Sequence, residues 1–573
     1  MITGQVLLDK FQNSTTFDGR RKKLLNMNFV NILLLLLLAN TAFGQVEVYL
    51  VDPLEAIYPD SNALEKASSK WSADYPLGTV AEVHLLVKAP AGTLLSVAAT
   101  LAEKELPLNY WGQLVAVPVE QNTGIDSRTE QYIGQKNPHV IRRAPFSIFE
   151  VVMPLQRPQV TTTEVFTALR FAIPTNDLPG TGKHEIMFSL NGADQATFTV
   201  NVYSVAIPPL AEGHFFYTNW FNLNKMETYH EVERWTENWY KVLDQYAQLM
   251  AHGRQNCIII PRELIAIRQN RITLDEEKML RFIEVFRKHG FQYFESPHLM
   301  YRGDKDDWGD PELKVILTKR GYFSDEAKQD VDTIIHLIKE FTQKHQLTHN
   351  WLQHIADEPT AVNGRCYREV VQQVRSIYPE IKIMEATNDR DSIAGAVDLW
   401  CPLINDFQEN EGFFREREQL GEKVLVYTCL IPGGKWLNRT MDMEKLRQVY
   451  FGWGAAHYNT FGYLHWGLNQ YKADPFKQSV VHHPSPAATP NNFLPAGDTH
   501  VVYPGREGPL SSLRFEAHRI GIEDYELLVK LKAQKPKVAQ KLIGKLFQSY
   551  TDYDTSLKNY RKVKKRLLKK VSK

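Results

Sequence analysis

From residue 45 to about 205, hydrophobic and polar positions alternate in short runs. Val80–Val87 is typical, and Ala196–Val202 closes the set with a strict period of two. Successive side chains of a strand point to opposite faces, so this rhythm predicts strands. Turn clusters such as Pro90-Ala91-Gly92 and Leu178-Pro179-Gly180-Thr181-Gly182 break the runs at intervals suited to an all-β sandwich. Ile207–Gly213, with two prolines, reads as a linker. The rhythm then changes. Extended segments are predicted at His214–Phe221, Cys257–Pro261, Tyr293–Pro297, Leu352–Ala356, Lys382–Thr387, Asp398–Leu403, Lys423–Leu430 and Thr460–Trp466. Helical periodicity fills most gaps, at Glu231–His252, Asp275–His289, Asp325–His345, Gly364–Tyr378 and Met443–His457, with Gly290 placed as a helix stop. Eight strands alternating with helices match a (β/α)8 barrel; a doubly wound open sheet is the competitor. The predicted organisation is an N-terminal extension and leader over 1–44, a sandwich over 45–208, a barrel over 209–520 and a helical segment over 521–573.

At 573 residues the chain is too long for one core, which agrees with this division. A hydrophobic fraction of 43% and a charged fraction of 23% are ordinary for a globular protein. The formal net charge of +1 gives no reason to expect a nucleic-acid partner. The basic run Lys562–Lys570 reads as the solvated face of a terminal helix. Cys257, Cys366, Cys401 and Cys429 have no metal-site spacing and are read as buried thiols. No metal and no cofactor is expected.

Near the N-terminus, Arg20-Arg21-Lys22-Lys23 precedes an apolar run containing Leu33–Leu38, and the small residues Ala42 and Gly44 follow. That order is a secretory signal, and its core of roughly 11 residues is too short to span a bilayer. Cleavage after Gly44, initiation at Met27 rather than Met1, and export without stable membrane insertion are the expectations.

Barrel active sites lie at the C-terminal ends of the strands, and this rule ranks the candidate residues. Strand four ends in Asp357-Glu358-Pro359, two adjacent carboxylates closed by a proline that stops ladder pairing. Aromatics and amides gather at the other strand ends: Asn219-Trp220, His298, Tyr427, Trp436, Tyr463, Trp466 and Asn469. Rings that stack on a sugar face, with polar groups that grip hydroxyls, point to a glycan substrate. Many retaining glycosidases set a second carboxylate about 5 Å from the acid, at the end of strand seven. Here strand seven, Val424–Leu430, holds neither Asp nor Glu. A known exception is substrate assistance, in which a 2-acetamido oxygen attacks the anomeric carbon. It needs one proton donor and one neighbouring carboxylate.

The chain resembles glycoside hydrolase family 123, the β-N-acetylgalactosaminidases. The likeness is carried by Ala356-Asp357-Glu358-Pro359, by Tyr463-Leu464-His465-Trp466-Gly467 and by the segment from Tyr503-Pro504-Gly505 to Arg519-Ile520-Gly521-Ile522-Glu523-Asp524-Tyr525-Glu526. The resemblance implies a sandwich followed by a (β/α)8 barrel, Asp357 orienting the acetamido group, and Glu358 acting as general acid and then base. Two carboxylates so close are expected to titrate as a coupled pair, with Glu358 raised and Asp357 anionic.

The supporting residues each have a second reading. Tyr427 binds the acetamido oxygen or packs in its strand. Trp436 and Trp466 wall the sugar pocket or belong to a core. Asn219 and Asn469 bind hydroxyls or serve structure, and Tyr463 and His298 line the cleft or are buried partners. Glu295 and Glu385 read as buried polar pairs, and Arg514, Glu516, Arg519 and Glu523 as an ion-pair network behind the site. Asn438-Arg439-Thr440 matches a glycosylation acceptor, a pattern frequent by chance. A β-N-acetylglucosaminidase with the same mechanism and a silent glycan-binding protein are the alternatives.

Overall fold

The computed structural model describes residues 46–572, apart from 63–67, 164, 388 and 486–487. The leader and both candidate initiators lie outside the described residues. The N-terminal region is mostly strands, in two facing sheets. One is ordered Glu47–Val51, Val80–Lys88, Phe166–Pro174, Trp111–Val119, Phe146–Pro154; the other is built around Lys70–Leu77, Ala193–Ala206, Gly182–Leu190 and Leu94–Leu101. Alternate residues such as Leu85, Phe171, Phe188 and Phe198 meet between the sheets as one apolar core.

All eight predicted strand segments downstream are found, most of them shorter than predicted, while Lys382–Thr387 keeps its bounds. They form a parallel sheet ordered Lys423–Val424, Leu399–Pro402, Lys382–Thr387, Trp351–Gln353, Tyr293–Glu295, Cys257–Ile259, Phe216–Asn219, Gly462–His465, Val426–Tyr427. The first and last of these nine segments are the two halves of one predicted strand, parted by Leu425. Leu425 N–H donates to Trp400 O at 2.8 Å, and Tyr427 bridges Leu403 in parallel. The sheet therefore curls into a nearly closed barrel rather than an open doubly wound sheet. Strict alternation fails once. No helix stands among the described residues between Thr387 and Leu399, where a run of turns containing Gly395 (φ +81°) makes the crossing.

The predicted helix Glu231–His252 begins only at Glu237, and a separate helix, Leu223–His230, precedes it. Glu231 and Trp235 between them have φ of +52° and +69°, and Thr236 caps the second helix by accepting from Trp239 N–H. The predicted division at 520/521 falls inside one helix, Leu513–Gln534. Gly521 sits where this helix meets Leu446–Tyr458: a Cβ there would lie 2.4 Å from Val449 O. Glycine lets the two backbones touch. No helix among the described residues is long and apolar enough to cross a membrane.

The charges of that helix tie the two regions together. Arg514 Nε donates to Glu150 of the sandwich at 2.6 Å. Arg519 pairs with Glu516 at 2.9 Å and Glu523 at 2.7 Å, while Arg170 of the sandwich approaches Glu516 at 3.5 Å and Glu82 at 2.7 Å. All are nearly or fully buried, and each carboxylate has a cationic partner. Removing one partner would strand the other, so the network fixes the docking geometry. The terminal helix Leu557–Val571 exposes Lys562, Arg566, Lys569 and Lys570, whereas Lys564 turns in to Asp524 at 3.0 Å.

Candidate active site

Strand four carries the chemistry beyond its last ladder pair. After Gln353 the chain continues through His354-Ile355-Ala356 to Asp357-Glu358-Pro359. Glu358 has φ +46°, a left-handed conformation that a non-glycine residue before proline rarely adopts. The turn breaks the strand's alternation, and both carboxylates line one cavity. Arg302 holds the strained turn: its Nη1 donates to Asp357 O at 2.5 Å and Glu358 O at 3.0 Å, and its guanidinium stacks on Trp308 at 4.0 Å.

Below the pair lies a buried charge cluster. His354 is fully buried, with Nε2 2.9 Å from Glu295 and Nδ1 3.0 Å from Glu385. Burial works to lower its pKa, but hydrogen bonds to the two carboxylates raise it to about 10, so it is an imidazolium. Glu295 is correspondingly held below its ordinary value: burial opposes this, and the His354 hydrogen bond prevails. Glu385 also accepts the N–H groups of Ile355 at 2.9 Å and Ala356 at 3.0 Å, which fixes the backbone leading into Asp357. His298 stacks on His354 with centroids 4.6 Å apart, and its Nε2 lies 4.0 Å from Asp357 and 3.7 Å from Glu385. Burial and then the His354 charge push His298 down to about 4, leaving it neutral.

Donor atoms of His298, His354 and Glu385 lie within 4.8 Å of one another, as a metal site would require. Both nitrogens of His354 are already engaged and its ring is cationic, so the trio does not fit a metal ion.

Of the two acids, the Asp357 carboxyl is held above its ordinary value. Surrounding protein mass raises it, against the attraction of His354 and Arg302. Its side chain keeps 46% of its exposure, so water in the open cavity tempers the effect. An upward shift at Asp357 departs from the low, anionic value expected for it from the sequence. No described donor hydrogen-bonds the Asp357 carboxylate, which explains the direction. Glu358 instead accepts from Tyr427 O–H at 2.5 Å.

The cavity holds about 290 Å³. Asp357, Glu358, Tyr427, Trp220 and Trp466 form one part of its lining, and Leu430, His483, Pro484 and Leu494 another. Trp220 Nε1 donates to Glu295 at 3.0 Å, and Trp466 Nε1 to Asp498 at 3.3 Å, so both rings are anchored by buried carboxylates. Burial, opposed by Arg439, raises Asp498 to about 7. Broader depressions of about 830 and 650 Å³ occur elsewhere, but neither contains the acid pair.

Of the residues named from sequence, Trp220, Tyr427 and Trp466 join the acids in this cavity, and His298 stands behind Asp357. The others do not. Tyr463 is buried, bonded to Thr428 Oγ1 at 2.5 Å and packed on Phe451 at 4.2 Å. Trp436 packs against the barrel's apolar core. Asn469 is buried and spans the backbone of Asn222, accepting at 2.7 Å and donating at 3.0 Å. Asn219 is buried and donates to Tyr217 Oη at 3.1 Å. Asn438, the glycosylation match, is also buried, donating to Cys429 O at 2.8 Å and Pro432 O at 3.0 Å. The four cysteines are free thiols. Sequence reasoning missed the roles of His354, Arg302 and Asp498. A lone histidine inside the apolar run Trp351–Ala356 was the available signal, since a buried imidazole needs partners.

Comparison with known proteins adds to this geometry. Residues 220–531 match the family model described as Glycoside hydrolase 123, catalytic domain. No curated protein matches the chain. A solved family 123 glycoside hydrolase from Clostridium perfringens, described in connection with glycolipid glycan hydrolysis, aligns at a TM-score of 0.65 and 12% identity, over 92% of this chain and 97% of that one. At that identity the likeness speaks for the fold alone. A family 5 xyloglucanase from Bacteroides ovatus (TM-score 0.29, 8% identity, 79% of this chain, 98% of that one) is too distant to carry an argument. The same holds for a β-D-glucuronidase from Dictyoglomus thermophilum (TM-score 0.33, 9% identity, 83% and 68%).

Proposed function

Because the chain belongs to glycoside hydrolase family 123, and is therefore a glycoside hydrolase, we propose that it is an exported, retaining enzyme that removes terminal β-linked N-acetylgalactosamine by substrate assistance. One observation carries the reading. The two strand-four acids line a single cavity, and the strand-seven segment facing Glu358 presents the Tyr427 hydroxyl, not a carboxylate. A protein nucleophile is missing from the position where a two-carboxylate retaining enzyme has one.

In this mechanism Glu358 gives its proton to the glycosidic oxygen as the acetamido oxygen bonds to the anomeric carbon. The C–O bond to the leaving group breaks and a cyclic oxazolinium forms. Asp357, as the anion, accepts the acetamido N–H and offsets the positive charge. Water then attacks the anomeric carbon from the face the leaving group vacated, the bond from that carbon to the acetamido oxygen breaks to restore the acetamide, and Glu358 takes the water's proton. Two inversions return the β configuration. With substrate bound, Tyr427 turns its O–H from Glu358 to the acetamido oxygen. Trp220 and Trp466 supply apolar faces for the ring. Galacto preference and export follow from the family resemblance and from the leader pattern over 20–44.

The test compares aryl 2-acetamido-β-glycosides of the galacto and gluco series with their 2-hydroxy counterparts. The expected result is turnover of the galacto 2-acetamido substrate and essentially none of either 2-hydroxy sugar. Preference for the gluco epimer would move the assignment to a β-N-acetylglucosaminidase. Equal turnover of 2-hydroxy substrates would end the substrate-assisted reading.

A further inference from the structure

In the sandwich, the long connection between Trp111–Val119 and Phe146–Pro154 leaves the sheets. This excursion, residues 120–143, reaches the barrel and meets both loops that bring Leu430, His483, Pro484 and Leu494 to the cavity lining. Along the loop after strand seven it makes three backbone bonds: Arg128 N–H to Leu430 O at 2.8 Å, Gly433 N–H to Asp126 O at 2.6 Å and Gly434 N–H to Gly124 O at 3.0 Å. The packing admits no side chain. A Cβ on Gly433 would lie 2.2 Å from Gly124 O, and one on Gly434, which has φ +63°, would lie 2.2 Å from Ile125 O. Buried Asp442 locks the same contact, accepting from Thr123 N–H and Oγ1–H at 2.7 Å each and from Asn122 Nδ2 at 3.1 Å.

The hairpin loop that carries His483, Pro484 and Leu494 is held from the same excursion. Arg128 Nε donates to Asn492 Oδ1 at 3.0 Å, and Glu120 accepts from Ser479 N–H at 3.1 Å, Ser479 Oγ–H at 2.7 Å and Val480 N–H at 3.0 Å. Leu430, His483, Pro484 and Leu494 thus owe their positions to a domain that supplies no acid to the cavity.

We propose that the 120–143 excursion is a positioning element that sets the part of the cavity lining formed by Leu430, His483, Pro484 and Leu494, and so governs how tightly substrate is held. Arg128, Asn492 and the Gly433-Gly434 pair are its positioning residues. The claim rests on the cavity being the glycoside site. Because the acids are supported separately, disturbing this part of the lining changes substrate fit more than proton transfer.

The experiment uses the full chain with Gly433→Ala, Asn492→Ala and Asn492→Asp, the last of which keeps an acceptor for Arg128. On the aryl 2-acetamido galactoside, Gly433→Ala and Asn492→Ala should raise KM about tenfold, with kcat changed less than threefold; Asn492→Asp should restore KM. Unchanged KM in folded Asn492→Ala protein, or a loss confined to kcat, overturns the proposal. Should Gly433→Ala fail to fold, the Asn492 pair decides alone. If the wild-type protein turned over none of these glycosides, the functional reading would fall while this one stayed testable. Amide hydrogen exchange would then decide it. The proposal predicts faster exchange across 481–494 in Asn492→Ala and recovery in Asn492→Asp, and unchanged exchange contradicts it.

Discussion

The acid side of the cavity is built from within the barrel, by an imidazolium clasped between Glu295 and Glu385 and by a guanidinium on the carbonyls of Asp357 and Glu358. The part of the lining around Leu430, His483, Pro484 and Leu494 is braced from outside it, by backbone bonds to the sandwich and by the side chains of Arg128 and Glu120. A buried cation between two carboxylates holds the first, and contact with a neighbouring domain holds the second. Proton transfer needs groups placed to within a fraction of an ångström, and buried, hydrogen-bonded ions provide that rigidity. A wall that only encloses the sugar tolerates support from a neighbouring domain. The comparison teaches that the two sides should fail differently when altered.

The largest effect is expected on the acid side. Glu358→Gln should lower kcat on an unactivated glycoside by about 10² to 10⁴-fold, the usual worth of a general acid–base. Steady-state kinetics would check this, and wild-type turnover would refute the assignment. Asp357→Asn should cost about 10² to 10³-fold by removing the charge that offsets the oxazolinium. The same change should not lower stability. The folded Asp357 carboxyl is raised, so the native state binds more protons than the unfolded one, and stability falls as pH rises past the ordinary aspartate value. At neutral pH thermal unfolding of Asp357→Asn should therefore match or exceed wild type, with the gap closing in acid. In wild type the acidic limb of kcat/KM should lie above the pH at which an ordinary aspartate titrates, because activity needs the anion.

The charge cluster beneath predicts a loss of folding rather than of chemistry alone. His354→Gln leaves two buried carboxylates without their cation, which costs about 3–5 kcal/mol. Denaturant unfolding near pH 7 would measure it. His354 has a folded pKa of about 10, so its contribution is complete below its unfolded value near 6.5 and is lost as pH rises through about 10. A penalty that stayed constant from pH 6 to 10 would argue against the imidazolium. The smallest effect is expected at Tyr427. Tyr427→Phe removes one hydroxyl donor and should reduce kcat/KM about tenfold, equivalent to about 1.4 kcal/mol.

Much of this architecture is legible in the sequence. Period-two runs gave way to strand–helix alternation at the linker, and the proline after Asp357-Glu358 marked a strand end. What stayed hidden was direction. Strands buried on both faces carry near-continuous apolar residues, so nothing in Tyr463-Leu464-His465-Trp466 says which ring enters the cavity. Tyr463 turns into the core and Trp466 to the sugar side. Asn219 and Asn469 failed for the same reason. The His354 clasp was hidden by distance, its partners lying 59 and 31 residues away in the chain. The Gly433-Gly434 pair reads as an exposed loop until the sandwich backbone is found against it. The charges of Arg514, Glu516, Arg519 and Glu523 were readable as a network, yet not as the joint between domains.

The central claim is that the sugar carries its own nucleophile. Its most direct test is a series of galacto substrates whose acetamido group bears zero, one, two or three fluorines. Fluorine withdraws electrons from the attacking oxygen without altering the leaving group. The account predicts that kcat/KM falls steeply with each substitution. A flat series would contradict it, because an enzyme-borne nucleophile would be indifferent to that change.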